Sequence, residues 1–142
     1  MKRVMSGRRC SAASLFLFCG LVFIDQGSKY IVSGVFPHGM ICNTGGSWGM
    51  AIPLPVLIGM TIGILVWMIS IQWKQRKYRQ ALIFIIAGGV GNLWDRVAHG
   101  CVTDFISLPY FPLFNGADIF LSIGCMLLFW SWRDSKMRII TK

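Results

Sequence analysis

Four apolar stretches, at residues 11–36, 52–71, 81–94 and 111–132, divide this 142-residue chain and leave it few possible folds. In hydrocarbon every backbone N–H and C=O must find its partner within the protein, which leaves only α-helices or a closed β-barrel. The period-2 alternation of barrel strands is absent, so all four stretches read as helices. With 55% hydrophobic residues the chain is too apolar for an ordinary soluble domain. The expected fold is an all-α membrane protein of four transmembrane helices, built as a single domain over residues 1–142. Between the helices, the glycine-rich segment 37–51 and the segment 95–110, with its β-branched and aromatic residues, suit turns and short strands.

The net charge of +9 invites a nucleic-acid reading, but the placement of the 14 cations opposes it. Lys2, Arg3, Arg8 and Arg9 precede the first stretch; Lys74, Arg76, Lys77 and Arg79 join the second to the third; Arg133, Lys136, Arg138 and Lys142 follow the fourth. These twelve flank the stretches on one side, which by the positive-inside rule makes both termini and the 72–80 loop cytoplasmic and the two β-containing segments extracytoplasmic. Trp67, Trp73, Trp130 and Trp132 cluster toward the same side and Trp48 and Trp94 toward the other, as interfacial belts do. No nucleic acid is expected as a partner; membrane lipid is. The first stretch resembles a cleavable signal peptide, but no small-residue cleavage site follows it, and it reads as a retained helix.

Two cations remain, Lys29 and Arg96, and each neighbours an acid buried in apolar sequence. Asp25 follows Arg9 by 16 residues, Asp95 follows Arg79 by 16, and Asp118 precedes Arg133 by 15. At the helical rise, each carboxylate sits about 23 Å from a basic anchor. That is near the far face of a core roughly 30 Å thick. An intramembrane carboxylate is costly unless it faces a bundle interior or a wet cavity, so three at one depth predict a shared polar site on the outer side. Asp104 lies in the second outer segment. Two aspartates in a low-dielectric site resist ionising together, and such a pair can take a proton from water, direct that water at a peptide carbonyl and protonate the leaving amine.

Gly59 and Gly63 form a G-x-x-x-G pair that allows close backbone approach. The five cysteines show no metal-type spacing. Cys42 and Cys101 both face the outer side and could pair, although nothing in the sequence brings them together.

Five blocks carry a resemblance to a known family. They are Asp25-Gln26-Gly27-Ser28-Lys29, Asn43-Thr44-Gly45, Gly88-Gly89-Val90-Gly91-Asn92-Leu93-Trp94-Asp95-Arg96, Gly100-Cys101-Val102-Thr103-Asp104-Phe105 and Phe114-Asn115-Gly116-Ala117-Asp118. In this order and four-span setting they resemble the lipoprotein signal peptidases (signal peptidase II), bacterial membrane aspartyl proteases. The resemblance implies an endopeptidase of the bacterial cytoplasmic (inner) membrane, multi-pass, with its site at the outer face. It would remove the signal peptide from diacylglyceryl-modified prolipoproteins by cutting before the lipidated cysteine, without a metal, nucleotide or redox cofactor. It makes Asp104 and Asp118 the catalytic dyad. Asp25, Lys29, Asn43, Gly45, Asn92, Asp95, Arg96, Asn115 and Ala117 match positions that shape the site or hold substrate. Oligomeric state does not follow from any of this. The chain departs from the family where Gly46-Ser47 precede Trp48 in place of alanines, and its outer segments are short.

Two rival readings use the same residues. A Ser–Lys protease built on Ser28 and Lys29 is poorly arranged, because adjacent helical residues point about 100° apart. A non-enzymatic proton- or ion-coupled transporter subunit would use Asp25, Asp95 and Asp118 as a relay.

Overall fold

The structure, a computed structural model, describes residues 12–46, 50–74 and 76–140. The basic N-terminal cluster and Ser47-Trp48 lie outside the described residues. Helix α1 spans Ala12–Val35, α2 Leu54–Lys74, α3 Arg79–His99 and α4 Gly116–Ile140. Between them lie four short strands: β1 (Ile41–Asn43), β2 (Val102–Asp104), β3 (Ile106–Leu108) and β4 (Phe111–Phe114). Three described helices, α1, the 54–71 part of α2, and α3, are long and apolar enough to cross a membrane.

Helix α3 is the axis of the fold and packs against the other three helices. Its membrane-length window is 61% buried, against 17% for α1 and 11% for α2. Leu82, Ile83, Ile86 and Ala87 of α3 meet Leu21 of α1 and Leu65 of α2 in two apolar clusters. On α4, Phe120 packs edge-on to Phe84 of α3. The outside is as apolar as the inside: Phe16, Phe23, Val66, Trp67, Phe129 and Trp130 are all exposed. That arrangement is unfavourable in water and costs nothing in lipid. Helix association there depends on close packing, because hydrocarbon already solvates the apolar side chains. Gly88 and Gly124 provide it on the facing surfaces of α3 and α4. A Cβ on Gly88 would run into the Ala117 carbonyl, and one on Gly124 would lie 2.8 Å from the Ala81 carbonyl.

Two of the boundaries that differ from the sequence expectation bear on the site. The third span, expected to end at residue 94, continues to His99, where Gly100 in the left-handed conformation (φ 77°) caps the helix with its N–H on the Arg96 carbonyl. Asp95 does not break the helix because its charge is met inside the bundle. The fourth apolar stretch, expected to be helical from residue 111, is helical only from Gly116, and 111–114 is strand β4. A short apolar run has no periodicity that separates strand from helix, and Pro112 suits the former.

The outer segments form two antiparallel ribbons. Strand β1 pairs with β2 in the register Ile41↔Asp104, Cys42↔Thr103 and Asn43↔Val102. Strand β3 pairs with β4, and their turn places Tyr110 at φ 64° in open space. A disulfide joins Cys42 to Cys101 and ties β1 to the residue that links α3 to β2.

Candidate active site

Two polar layers meet where α1, α3 and α4 converge. The deeper one is centred on Lys29. Its Nζ lies 2.8 Å from Asp25 Oδ2 and 2.9 Å from Asp95 Oδ2, and it donates to Asn92 Oδ1 at 3.2 Å. The ammonium thus donates hydrogen bonds to Asp25 and Asn92 and is ion-paired with both carboxylates. Asp25, entirely buried, accepts through its other oxygen from the Ala117 N–H at 2.7 Å, at the start of α4. Asp95 accepts from the Thr103 N–H at 3.3 Å, which ties it to β2. Its Oδ1 accepts from Gln26 Nε2 at 3.0 Å, and the same amide nitrogen reaches Asp25 and the Gly91 carbonyl. Gly91 has no side chain where the Asp25 carboxylate rests on α3. One lysine between two aspartates, with amide donors on the remaining oxygens, satisfies the requirement for a buried ion cluster.

The second layer contains Asp104 and Asp118. Asn115 sits at the N-cap of α4, where its Oδ1 accepts from the Asp118 N–H and the Asp118 Oδ2 accepts from the Asn115 N–H, each at 3.2 Å. This is a capping box with Asn and Asp in place of the usual residues, and it fixes Asp118 at the third helical position. The Asn115 Nδ2 then donates to Asp104 Oδ1 at 2.6 Å and to Asn92 Oδ1 at 3.2 Å. Asn92 Nδ2 donates to Asp118 Oδ1 at 2.9 Å, and Asn43 Nδ2 donates to Asp104 Oδ2 at 3.0 Å. Every oxygen of both carboxylates thus accepts an amide hydrogen bond. Asn92 joins the layers, because its Oδ1 faces Lys29 while its Nδ2 faces Asp118.

Asp104 and Asp118 line one cavity of about 930 Å³ together with Asn43, Gly45, Asn92 and Arg96. Leu113, Leu121, Ile123 and Met126 add an apolar wall. Arg96 spans the mouth of the β1 segment, donating to the Gly45 carbonyl at 3.4 Å, and its buried Nε has no partner among the described residues. Burial holds the Asp104 carboxyl above the usual carboxylate value of 3.8, and the Asp118 charge adds to the rise. The amides of Asn43 and Asn115, and Lys29, oppose it. Two carboxyl groups that face a common cavity, one of them raised by burial, suit acid–base hydrolysis of an amide.

All eleven residues singled out in the sequence fall in these two layers or on their frame. Asn43, Gly45, Asn92, Arg96, Asp104 and Asp118 line the cavity, whereas Asp25, Lys29, Asp95, Asn115 and Ala117 are buried beneath it or behind it. Gln26 is the residue sequence reasoning passed over. Its signal was a second polar side chain at the aspartate depth, next to Asp25. The Thr103 contact is made by backbone and left no signal. Ser28 Oγ donates to the Asp25 carbonyl at 2.8 Å and Lys29 is ion-paired with Asp25 and Asp95, so no Ser–Lys pair forms.

Residues 17–133 match the family described as signal peptidase (SPase) II. The chain is 31% identical to the lipoprotein signal peptidase of Cellvibrio japonicus, over 80% of its own length and 82% of that protein. It is 32% identical to the lipoprotein signal peptidase of Brucella ovis, over 88% and 94%. Among solved structures, a bacterial membrane enzyme determined by the in meso method superposes with a TM-score of 0.82 at 28% identity, covering 93% of this chain and 94% of that one. None of these relatives supports the transporter reading. A match this extensive, on a chain whose helices suit a bilayer, makes it a membrane protease of the signal peptidase II family.

Proposed function

We propose that this chain is an aspartyl endopeptidase that cleaves diacylglyceryl-modified prolipoproteins just before the lipidated cysteine, with Asp104 and Asp118 as the catalytic dyad. The observation that carries the reading is that both carboxylates line one cavity and both accept hydrogen bonds from Asn115. One carboxylate takes a proton from a water held between them, the water oxygen attacks the scissile carbonyl, and the proton on the other acid passes to the substrate as the amine leaves. Asn43, Asn92 and Asn115 fix the carboxylates, and Arg96 and the Gly45 segment present donors and acceptors to the substrate backbone. Asp25, Lys29 and Asp95 hold the three helices in register, and Ala117 supplies the amide that ties α4 to Asp25.

The same reading makes α4 the fourth span of a single membrane domain, in the bacterial cytoplasmic membrane with both termini inside. The basic residues on one side support that orientation, and the Cys42–Cys101 disulfide supports an oxidising outer face for the ribbons. The signal segment would enter along the apolar wall of the cavity, with the acyl chains left in the surrounding lipid. The test is Asp104→Asn and Asp118→Asn, each assayed on a diacylated precursor and its unlipidated twin. Both variants should accumulate in membranes and leave the lipidated precursor uncut, while the parent cuts it in preference to the twin. Near-normal cleavage by either variant would refute the dyad.

A further inference from the structure

The Cys42–Cys101 disulfide lies on the strand that carries one of the two amides on Asp104. Strand β1 is three residues long and, among the described residues, pairs only with β2, and a lone two-stranded ribbon is marginally stable. Ile41 and Cys42 are exposed, and no residue of β1 enters either apolar cluster. Yet the next residue, Asn43, donates to Asp104 Oδ2 at 3.0 Å, and its own Oδ1 accepts from the Gly45 N–H at 3.0 Å. Cys101 is the opposite kind of anchor. It is buried, directly follows the Gly100 cap of α3 and directly precedes β2. The disulfide therefore joins a short, exposed strand to the end of the most buried membrane-length helix, across 59 residues of sequence, one position from the amide that orients Asp104.

We propose that this disulfide is a positioning element of the active site, holding Asn43 on Asp104, so that its reduction suppresses cleavage while the helical bundle stays folded. The inference rests on Asp104 being catalytic. The four buried contacts of the deeper layer do not involve β1, and the bundle keeps them when the strap opens. The exposed side of the bond is Cys42 and the sheltered side is Cys101. A dithiol such as dithiothreitol attacks Cys42 Sγ as the thiolate, Cys101 leaves as a thiolate and takes up a proton, and the second thiol of the reagent releases Cys42 as it closes its own disulfide. Two electrons pass from reagent to protein, and each cysteine ends as a thiol.

The experiment measures kcat and KM for a diacylated precursor before and after dithiothreitol, with alkylation and mass analysis confirming that Cys42 and Cys101 are reduced. Loss of a hydrogen bond to a charged group predicts a fall in kcat of about tenfold or more, with KM and the helical circular dichroism signal unchanged. Reoxidation with oxidised glutathione should restore the rate. The double variant Cys42→Ser/Cys101→Ser should show the low rate with or without dithiothreitol. Asn43→Ala should also be slow, and reduction should slow it no further, because the strap acts through that amide. Full activity of the reduced protein and of the double-serine variant overturns the proposal, as does an equal fractional loss on reducing Asn43→Ala. Oxidised Asp104→Asn separates the two readings. If it is inactive while reduction is harmless, only the strap fails; if it cleaves normally, the dyad fails and the strap with it.

Discussion

Asn115 and Asp118 exchange hydrogen bonds as the cap and third residue of α4, so the feature that starts the helix also orients a carboxylate on the cavity. The same Asn115 side chain bonds Asp104 at 2.6 Å, which makes one buried amide common to both acids. Helix initiation and the geometry of the proposed dyad are therefore coupled through a single residue.

Replacing Asn115 separates the two roles. Asn115→Asp keeps a good capping oxygen but loses both Nδ2 donors and turns a carboxyl toward Asp104. Cleavage should fall about a hundredfold or more, by analogy with loss of a single positioned donor in other hydrolytic sites. Asn115→Ala should in addition lose helix-cap stability of about 1 kcal/mol. Steady-state kinetics with thermal unfolding in detergent distinguishes the two variants; equal activity of Asn115→Asp and the parent would remove Asn115 from the site.

The pH profile follows from Asp104. Its folded-state value is raised by burial, so it keeps its proton above the range of an ordinary carboxyl. For stability the sign is fixed: this group's contribution is fully present below the unfolded value near 3.8 and is lost as pH rises through the higher folded value. For activity, kcat should decline on the alkaline side as the single proton of the dyad is lost, and that limb should lie above the ordinary carboxylate range. Asn43→Ala removes an interaction that favours the charged form, so it should move the limb to still higher pH. A limb that shifts downward in this variant would contradict the assignment.

Lys29 gives a stability prediction of a different kind. Lys29→Met removes the only cation between Asp25 and Asp95 among the described contacts, leaving two buried carboxylates facing each other. Breaking a buried ion cluster this way costs about 3–5 kcal/mol. The triple replacement Asp25→Asn, Lys29→Met and Asp95→Asn should recover part of that loss, since no uncompensated charge remains. Unfolding of the purified proteins in detergent measures both, and a triple variant less stable than Lys29→Met would show that the charges themselves stabilise the bundle.

The parts of this site that could be read from the sequence are those whose burial is expensive. Asp25, Lys29, Asp95 and Asp118 announce themselves because charge in an apolar stretch demands a partner, and the structure joins all four through Lys29 and Asn92. The dyad assignment of Asp104 needed the family resemblance, since a single acid in an outer segment carries no depth signal. Long-range backbone relations were not legible. The β1–β2 register decides both the Cys42–Cys101 bond and the reach of Asn43 to Asp104, and no local pattern encodes it. The same is true of 111–114, whose apolar residues fit a helix or a strand until Asn115 starts α4 behind them.

Glycine position also decides what the bundle tolerates. In α2 the Gly59 and Gly63 pair expected to admit a close neighbour faces open space, with no atom of the described residues within 4 Å of where a Cβ would stand at either position. Gly88 of α3 is the opposite case: its Cβ would strike the Ala117 carbonyl and lie 2.9 Å from Leu121 Cγ. Gly88→Ala should therefore cost about 1–3 kcal/mol through overpacking. Gly59→Ala should stay within about 0.5 kcal/mol of the parent. Because the displaced element is the start of α4, Gly88→Ala should also lower kcat by moving Asp118 relative to Asp104, even at temperatures where the protein remains folded. Kinetics well below the unfolding midpoint checks this: a Gly88→Ala protein that is less stable yet cleaves at the parental rate would show that the α3–α4 contact supports the fold without setting the dyad.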